Sequence, residues 1–128
     1  MHKFIFSAWI VALLMLSACT QPIAYSAESA GVTVTVQFGA ALYANAAIPV
    51  QVTFTQSGEP YAVADVVLDL QMPGMTMGTS KPMAIAQPDG SHTTTVLFTM
   101  DGEWAIVVTG SSARGDERFV INQIIVSP

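Results

Sequence analysis

The sequence predicts an all-β fold: an immunoglobulin-like β-sandwich of about seven strands, preceded by an export signal. Three observations predict it. Beyond residue 31 the apolar residues recur with period two, as in half-buried strands. Turn residues interrupt these runs at short, fairly even intervals. No segment after residue 19 sustains a helical period.

The first element is a targeting segment. Met1-His2-Lys3 is a short basic start, and residues 4–16 are almost all apolar. That run is too short to span a bilayer comfortably and has the form of a signal-peptide core. It ends in Leu16-Ser17-Ala18-Cys19, which resembles a bacterial lipobox. The competing reading is an ordinary secretory signal with an incidental cysteine. The lipobox resemblance implies that residues 1–18 are removed and that Cys19 carries a diacylglyceryl group on its sulfur. Two or three acyl chains would hold the protein stably on the extracytoplasmic side of a bacterial membrane, in the cell envelope. Thr20 follows the cysteine, so an Asp retention signal of the Gram-negative kind is absent. Residues 20–31 are rich in Ser and Ala and are expected to be a flexible tether, which puts the folded domain at 32–128.

Within that domain, Val32-Thr33-Val34-Thr35-Val36-Gln37-Phe38 alternates perfectly and reads as a strand. Ile48 to Thr55 alternates again, with Pro49 placing it at an edge or marking a strand start. Gly58-Glu59-Pro60 is a turn, and Ala64 to Leu70 a third strand with Val66 and Leu68 inward. Met83 to Gln87 is a short fourth strand, closed by the turn Pro88-Asp89-Gly90-Ser91. Thr93 to Met100 is β-branched and aromatic, Asp101-Gly102 is a hairpin dipeptide, and Glu103 to Thr109 puts Trp104, Ile106 and Val108 on one face. Trp104 is expected to be the core aromatic. Ser111 to Asp116 reads as a loop. The final strand, Phe119 to Val126, changes apolar phase between Ile121 and Ile124, which predicts a bulge at Asn122-Gln123.

Composition narrows the function. Of 128 residues, four are Lys or Arg and nine are Asp or Glu, a formal charge of −5, and Lys3 leaves with the signal. An acidic chain with so few cations has no basic patch for nucleic acid or for anionic lipid. One cysteine allows no internal disulfide and no paired-Cys zinc site. An enzyme is not expected. Only His92 remains after processing, no Gly-rich phosphate loop is present, and Asp65 and Asp69, four apart on a strand, belong to a solvated face.

One segment departs from the strand pattern. Met72-Pro73-Gly74-Met75-Thr76-Met77-Gly78-Thr79-Ser80-Lys81-Pro82-Met83 holds four of the mature chain's five methionines, and the fifth is Met100. Its prolines and glycines exclude helix and central strand, so these methionines belong to a loop. Thioether sulfur is soft and neutral, and suits Cu(I) far better than Zn(II), Ca(II) or Mg(II). Three thioethers, or two and an imidazole, make a reasonable Cu(I) shell. Met72, Met75 and Met77 are the principal candidate ligands, with Met83, His92 and Met100 in reserve. The alternative for each is packing, since Met fills irregular gaps well.

The residues Gly58-Glu59-Pro60, Ala64-Asp65-Val66, Met72-Pro73-Gly74-Met75-Thr76-Met77, Asp89-Gly90 and Phe98-Thr99-Met100-Asp101-Gly102-Glu103-Trp104 resemble, in order and spacing, the YtkA-like/FixH-like family. The resemblance covers about residues 32 to 110. It implies an immunoglobulin-like sandwich on the outer face of a membrane and a role in copper handling, linked to assembly of haem-copper oxidases. Members often carry a His where this chain has Met77, which makes the site all-thioether unless His92 swings in and biases it to Cu(I). Two functions are therefore expected to compete. One is a lipid-anchored Cu(I) module that passes copper to a membrane protein. The other is a metal-free accessory domain that docks on a membrane complex through the Met-rich loop.

Overall fold

A computed structural model describes residues 23–75 and 80–128. The signal segment, Cys19 and Met77 lie outside the described residues. Among the described residues there is no helix. The described residues form nine strands: β1 (Ile23–Ser29), β2 (Val32–Phe38), β3 (Ala47–Gln56), β4 (Glu59–Pro60), β5 (Ala64–Gln71), β6 (Ile85–Ala86), β7 (His92–Leu97), β8 (Gly102–Ser112) and β9 (Gly115–Val126). They form two antiparallel sheets, one ordered β1-β2-β3-β7-β6 with β4 on β3, the other β5-β8-β9. This is a β-sandwich.

The core follows from alternation. Val32, Val34, Val36 and Phe38 of β2 and Ile48, Val50, Val52 and Phe54 of β3 turn one face of the larger sheet inward. Val66, Leu68, Leu70, Trp104, Ile106, Val108, Phe119, Ile121 and Ile124 meet them from the smaller sheet. Aromatic rings gather at both ends of this core. Phe38, Phe98 and Trp104 pack tilted or edge-on at one, with centroids 6.2 and 5.2 Å apart. Phe54 meets Phe119 and His92 at the other, at 5.6 and 5.9 Å.

β3 is central, not an edge. Pro49 stands at its start, where its carbonyl accepts a bond from the Gly39 amide (2.8 Å). The ladder to β2 stops there because Pro49 has no N–H to return. The bulge predicted at Asn122-Gln123 is present: Trp104 pairs with Ile124 and Ile106 with Ile121, and Gln123 takes φ 60°. The strand expected over 93–100 ends at Leu97, and the loop expected at 111–116 shortens to a turn at Ala113-Arg114 between β8 and β9. The expected strand over 83–87 is reduced to β6, with Met83 making one bridge to Val67.

The expected tether at 20–31 requires correction. Residues 23–29 form β1, paired with β2 from Ile23↔Phe38 to Ser29↔Val32. Ala30 (φ 51°) and Gly31 (φ 83°) supply the two left-handed residues of a hairpin turn. The alternation of Ile23, Tyr25 and Ala27 with Ala24, Ser26 and Glu28 half-buries one face of β1, and Tyr25 meets Phe38 edge-on at 5.9 Å.

Gly110 is the most crowded of the described glycines. A Cβ there would overlap the Val63 side chain and stand 2.9 Å from the Ala64 carbonyl oxygen. The neighbouring bulge in β5, where Asp65 takes φ 53°, brings that backbone in. Gly110→Ala should therefore lower stability by about 1–3 kcal/mol through overpacking, read as a fall in the denaturant midpoint at unchanged slope.

Candidate functional site

β5 ends at Gln71, opposite Ala105 of β8. Pro73 and Gly74 then turn the chain back. Gly74 has φ 78°, and the Met75 amide donates to the Met72 carbonyl at 3.2 Å, the signature of a type II turn with Pro and Gly at its corners. Met72 and Met75 thus flank one tight turn. The Met72 side chain is buried and its Cε would stand 3.0 Å from a Cβ on Gly102. Gly102 opens β8 two residues after Met100. The bend carrying Met100 is held by the Trp104 indole, whose Nε1–H donates to the Met100 carbonyl at 3.0 Å. The β5–β8 pairing therefore brings Met72, Met75 and Met100 to one end of the sandwich.

That end is apolar and acidic. Half-exposed Met75 and Met100 are joined by exposed Leu97 at the end of β7, Ile125 opposite Glu103, and Tyr43, which bridges Ser127 beside the Val126–Gly102 pair. Asp101 and Glu103 are exposed there. Among the described residues the cations lie elsewhere: Lys81 faces Asp69 at 3.9 Å, and Arg114 and Arg118 sit at the far ends of β8 and β9. Among the described residues no three His, Cys, Asp or Glu side chains are grouped to hold a metal.

Two of the expected ligands lie apart. Met83 is exposed on the edge of β5, opposite Val67, five residues and roughly 16 Å along the strand from Met72. His92 opens β7 and is buried at the opposite end, edge-on to Phe54, in a cleft of about 560 Å³ lined also by Val63, Ala86, Ser112 and Ala113. β8 runs eleven residues from Gly102 to Ser112, which separates the two ends by roughly 33 Å. Burial holds the His92 imidazole below its usual pKa, against the opposing pull of the Val63 carbonyl, so it is neutral at neutral pH. His92 thus lies at the end of the sandwich opposite the thioethers.

The YtkA-like family model matches residues 26–109, from within β1 to within β8. The chain belongs to the YtkA-like family. No curated protein and no solved structure matches it. Membership points to an accessory extracytoplasmic domain. The matched span holds the whole Met72–Met75 turn and the Met100 bend, so the thioether end is part of the YtkA-like domain proper.

The YtkA-like domain has a second polar cluster that the sequence did not disclose. At the His92 end, the buried Glu117 carboxylate accepts bonds from Arg114 Nε (2.6 Å), Ser112 Oγ (2.8 Å) and Tyr61 Oη (2.9 Å). Arg114 also donates to the Ala30 carbonyl at 2.9 Å and lies over the Tyr61 ring at 5.4 Å. The Arg114 hydrogen bond, then that of Ser112, lowers the Glu117 pKa to about 2, against the opposing effect of burial. The arrangement ties the β8–β9 turn to the β1–β2 turn and to the start of the 61–66 crossing. Every polar atom in it is committed to another, so it is a clamp rather than a reactive group.

Proposed function

We propose that this YtkA-like domain is a membrane-anchored extracytoplasmic module that handles Cu(I) through the Met end and is not an enzyme. One observation carries the reading: the Met72–Met75 turn and the Met100 bend, 25 residues apart in sequence at their nearest members, lie at one end of the β-sandwich. Met72, Met75 and Met100 would hold the cargo, and Met77, two residues after Met75 in sequence, is a further candidate. Neutral thioethers lose no proton on binding, so loading would persist at mildly acidic pH. The buried Met72 gives the shell a fixed member. Exposed Met75 and Met100 leave room for an accepting membrane protein to exchange ligands, and Asp101 and Glu103 raise the local concentration of cations. Lipidation at Cys19 would keep the module at the membrane surface.

The test is Cu(I) competition against a chromophoric chelator. Met75→Leu/Met100→Leu should weaken binding by about tenfold or more, because Leu keeps the apolar volume and removes the sulfur. Stability should stay within about 0.5 kcal/mol, since both side chains are exposed. Met83→Leu and His92→Gln should leave affinity unchanged. Equal affinity in the double variant and the wild type would refute the proposal. The exposed Tyr43, Leu97 and Ile125 around the thioethers favour a second reading, metal-free docking on a membrane complex. Under that reading the double Leu variant would retain full function in cells.

A further inference from the structure

The thioethers differ in access. Met72 is 9% exposed, whereas Met75 and Met100 are 51% and 42% exposed, and Met83, away from the site, is 64% exposed. Thioether oxidation follows access to the sulfur lone pair, so the order of reaction is set by the fold. From this gradation we infer that Met75 and Met100 are a reversible oxidation site, at which sulfoxide formation by a peroxide turns soft-metal binding off. The inference rests on the Cu(I) reading of the same end.

The chemistry balances simply. The sulfur lone pair attacks one oxygen of hydrogen peroxide and the O–O bond breaks. An S=O bond forms and the other oxygen leaves as water, with sulfur oxidised by two electrons and the peroxide reduced. The product presents a polar oxygen in place of a soft donor pair. A thiol-dependent reductase reverses it: two thiols supply two electrons and two protons, the oxygen leaves as water and a disulfide forms.

The local structure separates this change from unfolding. Met75 is held through its backbone amide in the turn, and Met100 supports Trp104 only through its backbone carbonyl. Oxygen on either sulfur breaks neither bond and enters no core. On Met72 the same oxygen would carry an unpaired polar atom into the packing beside Gly102. The buried thioether is thus shielded while the two exposed ones respond. Met83 is a built-in control, since it is the most exposed of the four and lies outside the site.

The experiment treats the full-length protein with hydrogen peroxide, removes the oxidant with catalase, and maps oxygen uptake by peptide mass. Cu(I) affinity is measured before treatment, after it, and after reduction by methionine sulfoxide reductase with dithiothreitol. Met83, Met75 and Met100 should gain oxygen before Met72, with the circular dichroism spectrum unchanged. Cu(I) affinity should fall by about tenfold or more, as for removal of two soft donors, and return on reduction. Met83→Leu should behave as the wild type. Tight binding that survives oxidation of Met75 and Met100 would overturn the switch and leave the copper site standing. Absence of binding before oxidation would overturn the copper site and the switch with it. Oxidation of Met72 at the rate of Met75, or loss of the spectrum, would overturn the switch in favour of damage by unfolding.

Discussion

Trp104→Ala is expected to lower stability by about 3–5 kcal/mol, the range for emptying a large aromatic site in a packed core. Trp104 is buried, T-shaped against Phe98, and is the side chain that closes the Met end of the sandwich. For a domain of this size the melting temperature should fall by well over 10 °C, on the order of 4 °C or more per kcal/mol. Trp104→Phe separates packing from positioning. The ring on Phe98 is largely kept, and the hydrogen bond to the Met100 carbonyl is lost. That variant should lose only about 1 kcal/mol in denaturant melts, plus a partial packing loss. It should nevertheless bind Cu(I) several-fold more weakly, because the bend that places Met100 is no longer tied to β8. Unchanged affinity in Trp104→Phe would show that the indole bond does not position Met100.

Glu117→Ala is expected to lower stability by about 2–3 kcal/mol at pH 7, because it leaves Tyr61, Ser112 and Arg114 without their common acceptor. The value stays below that of a fully buried ion pair because Arg114 is more than a third exposed and can rehydrate. The pH dependence has a definite sign. The folded-state pKa, about 2, lies below the ordinary 4.5, so the carboxylate's contribution is complete above about pH 4.5 and is lost as pH falls towards 2. Wild-type stability should decline through that window, and the Glu117→Ala profile should be flatter there. Denaturant melts at stepped pH check both. Cu(I) affinity of Glu117→Ala at neutral pH should equal that of the wild type, since the clamp and the thioethers occupy opposite ends of β8. Trp104 and Glu117 thus make a paired test of the two ends.

How much of this was legible in the sequence varied with the kind of interaction. Val32–Phe38 could be read residue for residue, because strict alternation of β-branched and polar residues has one structural meaning. The Asn122-Gln123 bulge was legible because a slip by one residue reverses which side chains face the core. β1 was not: Ile23, Tyr25 and Ala27 are a thin apolar face among Ser and Ala, and pairing with β2 stabilises it. Tyr61, Ser112, Arg114 and Glu117 looked like ordinary turn residues, since nothing local links a Tyr to a Glu 56 positions later.

The same division runs through the candidate site. Sequence by itself determined the all-β class, the position of most strands, the one segment where methionines concentrate, and the YtkA-like family. These depend on short-range spacing and on residue chemistry. Tertiary structure decided which methionines share an end of the sandwich. Met100 lies at the same end as Met72 and Met75 because β5 pairs with β8, a contact between distant segments. His92 is excluded because β7 runs from one end of the sandwich towards the other before reaching Met100. Met83 is excluded because its segment is pinned along the edge of β5, where the Leu68 amide bonds to the Pro82 carbonyl and the Ala84 amide to the Val66 carbonyl. Strand pairing sets such distances, and a strand of rigid rise converts a few residues of separation into tens of ångströms.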